Sequence, residues 1–212
     1  MSIWVCGEVL IDLLPGKPER IAIVGGGPAN TAKALSKIGI VTQFIDGIST
    51  DEYGQMAKND LVNAGVKLDY VMYSDKPTCL AIVSLGADGG ATYEFKIDGT
   101  ATFDFNLNWL PDPSRYKPQV LHIGTLVTVI QPGADVLYDW AMQVAEFAPI
   151  VFDPNIRPSV IGDHDLYEAA VEKWAALSSV IKVSDDDMAW LYPGQKYEDV
   201  AKRWINDGAA LV

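Results

Sequence analysis

Histidine and cysteine are scarce in this sequence, and neither type is arranged for chemistry. There are two of each: His122, His164, Cys6 and Cys79. The cysteines form no CxxC pair and the histidines no HExxH pair, which argues against a structural zinc site and a zinc peptidase. No GxSxG turn accompanies the histidines, so a serine hydrolase triad has no support either. We expect two buried, reduced thiols, as in a cytoplasmic protein.

Long apolar runs are also missing, and so is any excess of positive charge. No run reaches the roughly 18 apolar residues that span a bilayer. The N-terminus lacks the basic start and apolar stretch of a signal peptide, so we expect a cytoplasmic protein with no membrane partner. The 212 residues carry 16 Lys and Arg against 28 Asp and Glu, a net charge of −12. An acidic surface repels phosphate backbones, which argues against nucleic acid as a partner.

The sequence does contain apolar residues for a core, in segments that alternate between strand and helix patterns. Apolar residues make up 49% of the chain, enough for one large domain or two small ones. The alternation predicts an α/β fold, with a mainly parallel sheet covered by helices on both faces. The predicted strands are 3–6, 21–24, 41–45, 120–123, 150–152 and 180–183, and the predicted helices begin at Pro28 and cover 52–63, 134–147, 165–177, 185–191 and 197–206.

The middle of the chain departs from this alternation. Residues 78–85 and 91–97 have strand patterns, and the turn-forming cluster 86–90 between them predicts a β-hairpin. Residues 99–119 are rich in Pro, Asp and Asn and are predicted to be a connection. We interpret the hairpin as a small accessory to the main sheet that forms a lid over its strand ends.

Residues 21–46 are the most informative stretch. A strand, the glycine turn 25–27, a helix and a second strand ending at Asp46 predict a βαβ unit. Asp46 lies where a Rossmann fold has its ribose-binding acid. However, Asn30 stands in place of the third glycine and Pro28 removes a backbone donor, so a dinucleotide-binding oxidoreductase is only a remote alternative.

The glycine loop also has chemistry that depends on no family. Glycines allow a ligand to approach the backbone, and the first amides of a helix donate hydrogen bonds. The Asn30 side chain both donates and accepts, which suits vicinal hydroxyl groups. A plain tight turn with Asn30 exposed is the alternative.

Five motifs follow one another along the chain. They are GEVLID at 7–12, GGPANTA at 26–32 followed by Gly39, DEYG at 51–54, FDPNIRP at 152–158 and KVSDDD at 182–187. Together they resemble the motifs of the PfkB (ribokinase-like) family of carbohydrate kinases, and chiefly its fructokinase-like branch. One departure concerns the signature that begins with GGPANTA and continues past Gly39. Ser49 occupies the position of its last glycine. We expect it to alter a turn without loss of activity.

The resemblance implies a ribokinase-like three-layer sandwich with a mainly parallel central sheet and a small β lid. Residues 1–212 would be the N-terminal part of a sugar kinase domain, with lid elements around 13–24 and 78–105. The implied activity is transfer of phosphate from ATP, with Mg²⁺, to a hydroxyl of a small sugar, most like a fructokinase. A 2-keto-3-deoxygluconate kinase, a ribokinase and a non-catalytic sugar-binding fragment remain alternatives. A homodimer through the β lid is a further expectation.

The same resemblance assigns roles to individual residues. The substrate-binding residues would be Asp12, Gly26, Gly27, Asn30, Phe95 and Arg157, with Arg157 also supporting catalysis. The residues associated with phosphate and magnesium would be Asp153, Asn155, Ser184 and Asp187, with Asp187 as an outer-sphere metal partner. The residues themselves leave simpler alternatives open: a solvated loop acid for Asp12, a salt bridge for Arg157 and a helix cap for Ser184.

Position along the predicted strands adds two expectations. Asp12 follows the first strand, at the carboxyl end of a parallel sheet, where ligands bind. Asp153, Asn155 and Arg157 alternate just beyond another strand. Because alternate residues of an extended chain share a face, all three are predicted to point into one cleft.

The family's catalytic base belongs to a Gly-Ala-Gly-Asp motif that has no counterpart here. No residue of this chain is therefore assigned as the base, which is expected beyond Val212. Most of the ATP-binding segments are missing with it. Residues 208–212 follow a predicted helix and resemble the start of a buried strand. We therefore expect a chain truncated at the C-terminus of a longer kinase and, by itself, inactive.

Overall fold

A computed structural model describes residues 2–85 and 91–212, and the predicted turn at 86–90 lies outside the described residues. The strands are β1 (Ile3–Cys6), β2 (Leu10–Leu14), β3 (Ile21–Gly25), β4 (Thr42–Ile45), β5 (Gly47–Ser49), β6 (Met72–Ser74), β7 (Leu80–Leu85), β8 (Ala91–Lys96), β9 (Val120–Gly124), β10 (Ile150–Asp153) and β11 (Val180–Ile181). The α-helices are α1 (Gly27–Lys37), α2 (Glu52–Asn63), α3 (Pro113–Tyr116), α4 (Gly133–Ala145), α5 (His164–Leu177), α6 (Asp185–Leu191) and α7 (Tyr197–Asn206), with 3-10 turns at Ala101–Phe103 and Thr125–Thr128.

Five parallel strands form the main sheet, in the order β11-β10-β9-β1-β4. Side chains of β1 alternate between its faces: Trp4 and Cys6 join a buried cluster with residues of α4 and α5. Val5 joins a second cluster with residues of α1 and α2. Strands covered on both faces are rich in apolar residues, and the sequence predicts these five within a residue or two. The predicted α/β fold with a mainly parallel sheet is confirmed.

Four strands form a second sheet, called the small sheet below, in the order β3-β2-β7-β8. β2 runs antiparallel to β3 and parallel to β7, and β7 and β8 pair antiparallel as the hairpin prediction requires. The βαβ prediction is wrong, because β3 belongs to the small sheet and β4 to the main sheet. The reason is burial: Ile21 and Ile23 are 55% and 45% exposed, so this apolar run is not a core strand.

Three strands, β2, β5 and β6, have no counterpart among the sequence predictions. β5 and β6 make a separate parallel pair. β2 follows closely after β1, since Gly7 has a φ of +147° and allows the chain to leave the main sheet. A side chain at Gly7 would also meet Cγ of Pro28 at 2.2 Å. Elsewhere α2, α6 and α7 have the bounds that the sequence predicts.

The DEYG motif connects α2 to the small sheet. The carboxylate of Asp51 caps α2 by accepting from the Gly54 N–H at 2.7 Å. It also accepts from the backbone N–H and the hydroxyl of Thr78, at 2.9 and 2.6 Å, just before β7. A Cβ at Gly54 would lie 1.9 Å from the Ser49 carbonyl oxygen. Ser49 itself is buried, and its hydroxyl accepts from the Asp51 N–H at 3.0 Å, which stabilises the turn.

The last residues lie beside the edge of the main sheet. Leu211 forms a parallel bridge with Val180, and the Ile181 N–H donates to the Leu211 carbonyl at 2.9 Å. Val212 is partly buried and packs against the cluster that contains residues of α4 and α5. Leu211 therefore pairs with the sheet as the strand pattern predicts, but it is 60% exposed and not part of a buried strand.

The structure describes both cysteines and the helices that could be compared with a membrane span. Cys6 and Cys79 are both buried and form no disulfide, as expected. Among the described residues, no helix combines the length and the apolar character needed to cross a membrane.

Candidate active site

A cavity of about 440 Å³ opens between the carboxyl ends of the main sheet and the small sheet. All six predicted substrate-binding residues line it, although they come from distant parts of the chain. The lining residues are Glu8, Leu10, Asp12, Gly26, Gly27, Asn30, Tyr93, Phe95, Leu126, Arg157 and Ser159. The structure therefore brings these six predicted residues together.

The cavity lies where the strand order of the main sheet changes direction. From β1 the chain passes first to β4 on one side and later to β9 on the other. The loops after two such neighbouring strands diverge and leave a crevice, which is where open α/β sheets bind ligands. Glu8 follows β1 and Thr125 follows β9, and the Thr125 hydroxyl donates to Oε2 of Glu8 across this crevice.

Asp12 lies in a strand of the small sheet, and not directly after the first strand of the main sheet as predicted. It lies within β2, where it is paired with Ile23 of β3 on one side and Ala81 of β7 on the other. A Cβ at Gly25 would lie 2.2 Å from Oδ2 of Asp12, so the missing side chain makes room for the carboxylate. Burial raises the pKa of Asp12 and the nearby Arg157 guanidinium opposes this. Among the described residues no hydrogen-bond donor reaches this carboxylate, which leaves both oxygens for a ligand.

The glycines are required by the close approach of α1 to the crevice. Gly26 has a φ of +105°, and a Cβ there would lie 2.3 Å from the Glu8 carbonyl oxygen. A Cβ at Gly27 would lie 3.0 Å from Nδ2 of Asn155. Gly26 is the N-cap of α1 and supplies no side-chain cap. The opening amides of the helix therefore have no side chain competing with a ligand.

Asn30 lies in the first turn of α1 and is both exposed and part of the cavity lining. Its backbone N–H donates to the Gly26 carbonyl at 2.9 Å, which is the first hydrogen bond of the helix. The side chain is not used in that bond. Its amide group is therefore positioned at the cavity wall with a donor and an acceptor available.

The prediction that Asp153, Asn155 and Arg157 share one cleft is wrong. Asn155 has a φ of +42°, so the chain beyond β10 turns and the alternation of an extended strand ends there. Of the three, only Arg157 is among the cavity-lining residues. Nζ of Lys182 lies 3.2 Å from Oδ2 of Asp153, an ion pair at the strand ends of β10 and β11.

Arg157 is held by its own loop. Its Nη1 donates to the carbonyl oxygens of Ile156 and Asn155, at 2.8 and 3.3 Å. Its backbone N–H donates to the Tyr167 hydroxyl at 3.1 Å. Within the described parts of the chain its guanidinium forms no ion pair, so the salt-bridge alternative has no support. Arg157 is also among the cavity-lining residues.

Ser184 and Asp187 support this loop from α6. Ser184 is the N-cap of α6, and its hydroxyl accepts from the Asp187 N–H at 3.1 Å. Oδ1 of buried Asp187 accepts from the Ile156 N–H at 2.8 Å. Both side chains therefore have structural roles. For Ser184 this role is the helix cap that was the simpler alternative to phosphate binding. Neither lines the cavity.

Glu8 is a cavity residue that the sequence does not single out. Only 3% of it is exposed. Burial raises the pKa of its carboxyl group to about 7, against the opposing effects of the Thr125 hydroxyl and the Arg157 guanidinium. The available signal was an acid directly after Gly7 at the end of a buried strand. Such a position is typical of ligand-binding groups in parallel sheets.

Tyr93 is a second unpredicted residue, and it extends the aromatic surface of Phe95. The two rings stack at 6.3 Å with an interplanar angle of 22°. They lie two positions apart on β8, and alternate residues of a strand share a face. The spacing was visible in the sequence, but which face meets the cavity depends on the pairing of the small sheet.

Val212, the residue beyond which the catalytic base is expected, takes no part in the cavity. Its apolar side chain packs against the core beside the main sheet, and it is not among the cavity-lining residues. It also has no group that could accept a proton. The position of the base beyond Val212 therefore stays a prediction.

Asp46 does not have the position that the Rossmann hypothesis needs. It is fully buried and accepts from the backbone N–H groups of Val9 and Gly47, at 2.9 and 2.8 Å. Burial raises its pKa well above the usual range. A buried acid that holds the loops after β1 and β4 cannot bind a ribose, and the βαβ unit is absent. The dinucleotide-binding hypothesis is therefore wrong.

Metal-binding groups are sparse in the parts of the chain that the structure describes. No group of three or more His, Cys, Asp or Glu side chains among residues 2–85 and 91–212 is arranged to hold a metal ion. Asp187 has one oxygen engaged with Ile156, and Asp153 is paired with Lys182. These residues do not fit a complete magnesium site by themselves.

Comparison with known proteins identifies one matching family and several similar fructokinases. Residues 17–212 match the pfkB family carbohydrate kinases. The chain is 34% identical over 215 residues to a fructokinase of Rhizobium leguminosarum bv. trifolii, covering 99% of this chain and 65% of that protein. It is 27% identical over 194 residues to a fructokinase of Salmonella typhimurium, covering 90% and 62%. The chain thus spans slightly less than two thirds of the length of these curated relatives.

Solved structures show the same fold. A fructokinase from Xylella fastidiosa with bound ATP has a TM-score of 0.88 at 24% identity, covering 99% of this chain and 66% of that one. A fructokinase from Vibrio cholerae O395 with bound fructose, ADP and calcium ion has a TM-score of 0.83 at 22% identity, covering 97% and 67%. The ribokinase-like fold that the motifs imply is confirmed.

Proposed function

Because the chain belongs to the pfkB family of carbohydrate kinases, we propose that it supplies the sugar-binding part of an ATP-dependent sugar kinase, most like a fructokinase. The observation that carries this proposal is the meeting of Asp12, Asn30 and Arg157 in one cavity at the strand-order change. A carboxylate, an amide and a guanidinium are complementary to a polyol with several hydroxyl groups.

Each residue has a role in this proposal. Asp12 accepts hydrogen bonds from two sugar hydroxyls, and Asn30 both donates and accepts. The amides at Gly26 and Gly27 bind sugar oxygens at the uncapped start of α1. Arg157 orients the sugar and supports the charge of the transferred phosphate. Asp153, Asn155, Ser184 and Asp187 remain proposed as the phosphate-side group.

The small sheet is proposed to act as a lid. Tyr93 and Phe95 cover one side of the cavity and exclude water from the reacting hydroxyl. The edge strand β3 exposes Ile21 and Ile23, and exposed strand edges pair readily. A homodimer through this sheet is therefore part of the proposal.

ATP and Mg²⁺ enter the proposal through the family alone. When bound, the nucleotide supplies the phosphoryl group and the ion neutralises its charge. No described residue is assigned as the catalytic base, and the described residues do not complete a site for the ion by themselves.

A kinase for a sugar acid, such as 2-keto-3-deoxygluconate, is the second candidate. Arg157 favours it, since a planar guanidinium binds a carboxylate bidentately. Against it, Asp12 and Glu8 line the same cavity and repel a second anion when ionised. A neutral sugar is therefore the better fit.

The proposal is tested by titrating the 212-residue chain with fructose, ribose and 2-keto-3-deoxygluconate in a calorimeter. We expect fructose to bind best, and Asp12→Ala to weaken its binding by at least about tenfold, because the main hydroxyl acceptor is lost. Glu19→Ala is the matched control, an exposed acid between β2 and β3 outside the cavity. Equal fructose binding by the Asp12 and Glu19 variants would remove Asp12 from the site.

Activity requires a second experiment. Residues 1–212 are substituted for the matching part of the Rhizobium fructokinase, and ATP-dependent fructose phosphorylation is followed in a coupled assay. We expect turnover by this chimaera and its loss with Asp12→Ala. A folded chimaera that binds fructose but never phosphorylates it would favour the non-catalytic sugar-binding alternative.

A further inference from the structure

We propose that Glu8 is an additional substrate-binding residue, whose carboxyl group binds a sugar hydroxyl at the floor of the cavity. This inference rests on the proposed sugar-binding function and adds a residue to it. Glu8 differs from Asp12 in its surroundings: only 3% of Glu8 is exposed, whereas Asp12 is half-buried on the small sheet. The cavity thus has two acids in different environments, a pattern that separates acid and base roles in enzymes.

Position is the first argument. Glu8 directly follows β1, the strand beside which the order of the main sheet changes direction. Glu8 lines the cavity together with Gly26 and Leu126. A bound sugar that contacts Asn30 and Asp12 therefore meets Glu8 between the glycine turn and the loop after β9.

Orientation is the second argument. The Thr125 hydroxyl donates to Oε2 of Glu8, and Thr125 is itself held with a φ of +64°. No side-chain donor among the described residues reaches the other oxygen, Oε1. The carboxyl group is thus fixed through Oε2, and no side chain of the described residues competes with a ligand hydroxyl for Oε1. A hydrogen bond from a ligand to a buried carboxyl group stabilises the complex more than one to an exposed group, because water cannot take the place of the ligand there.

Charge is the third argument. Burial raises the pKa of Glu8 to about 7, while the Thr125 hydroxyl, the backbone N–H groups of Glu8 and Val127 and the Arg157 guanidinium favour the ionised form. The charged and titratable groups that influence Glu8, or are influenced by it, are Arg157, Asp46, Cys6, Cys79, Tyr167 and, across the cavity, Asp12. Arg157 is the one cation in this group.

The neutral carboxyl group is the form that suits a bound sugar. It both donates and accepts, whereas the ionised form only accepts. A sugar in the cavity also displaces water, which increases the cost of a second anion next to Asp12. Sugar binding therefore favours the proton on Glu8, and affinity falls as the pH rises above about 7.

The size of the effect follows from proton linkage. If only the protonated form binds well, the apparent dissociation constant is about tenfold higher at pH 8 than at pH 6. Binding near pH 7 is accompanied by proton uptake, which calorimetry detects by using buffers of different ionisation enthalpy.

The test is a fructose titration of the 212-residue chain at pH 6, 7 and 8, with wild type, Glu8→Gln and Glu19→Gln. Glutamine keeps a donor and an acceptor but no titrating proton, so Glu8→Gln is expected to bind fructose with the same affinity at all three pH values and without proton uptake. Glu19→Gln makes the same chemical change at an exposed position and is expected to keep the wild-type pH dependence. A Glu8→Gln variant with the wild-type pH profile would overturn the proposal.

A second variant covers the case in which Glu8→Gln does not fold. Thr125→Ala removes the hydroxyl that lowers the pKa of Glu8, so the midpoint of the pH dependence is expected to move upward. A midpoint that stays in place would contradict the assignment to Glu8. If wild type binds no sugar at any pH, the proposed function itself fails and this inference with it. If wild type binds fructose and Asp12→Ala abolishes binding, while neither the Glu8 nor the Thr125 variant alters the pH profile, only the Glu8 inference fails.

Discussion

The main sheet and the small sheet are built from similar residues but are buried in different ways. Strands of the main sheet are covered by helices on both faces, and Trp4, Val5 and Phe152 have no significant exposure. In the small sheet one side of the strands meets the cavity, and Ile21 and Tyr93 are largely exposed. The comparison indicates that the main sheet dominates the packed core, whereas the small sheet presents partly exposed side chains to the cavity.

The largest expected effect comes from the main sheet. Phe152→Ala in β10 removes a fully buried ring that stacks on Trp174 at 6.1 Å. We expect the free energy of unfolding to fall by about 3–5 kcal/mol, since the ring leaves a cavity in a packed core. Urea denaturation measures the change. A loss below about 1 kcal/mol would mean that the main sheet does not dominate stability.

The junction between the sheets should give an intermediate effect. Asp51→Ala removes the cap of α2 and both hydrogen bonds to Thr78. We expect a loss of about 1–2 kcal/mol in the free energy of unfolding, the usual cost of an N-cap. Fructose affinity is expected to fall as well, because β7 loses its attachment to α2. Glu52→Ala, an exposed neighbour of the cap, is the control and should leave affinity unchanged.

The smallest effect on stability is expected at the small sheet itself. Tyr93→Ala removes a ring that is 53% exposed, so the free energy of unfolding should change by no more than about 0.5 kcal/mol. Because Tyr93 lines the cavity, we expect the same variant to bind fructose several-fold more weakly in calorimetry. Destabilisation comparable to that of Phe152→Ala would erase the distinction between the two sheets.

The sequence predicts the main sheet well and the small sheet poorly, for one physical reason. β1 and β10 belong to the buried main sheet and carry the apolar runs 3–6 and 150–152, which need no partner to be recognised. β3 is also an apolar run, but its sheet partner is β2, which the sequence did not indicate as a separate strand. Membership in a sheet is a long-range property, and the run alone assigned β3 to the wrong one.

The candidate site shows the same division. Motif residues such as Asp12, Asn30 and Arg157 could be named from the sequence chiefly because their motifs resemble those of the pfkB family carbohydrate kinases. The alternation argument for Asp153 and Asn155 failed, since it assumed an extended chain where Asn155 has a positive φ. Their phosphate-side role remains a prediction.

The amino-acid sequence by itself determined the α/β fold, the mainly parallel sheet and the residue types available for binding a sugar. These follow from local patterns: apolar runs, helical spacing and glycine turns. Only the tertiary structure decided that Asp12 of β2 lies at the same cavity as Arg157, and that Glu8 is buried beside Thr125 with a pKa of about 7. Burial and proximity across the chain set the charge of a carboxyl group, and neither property is encoded at a single position.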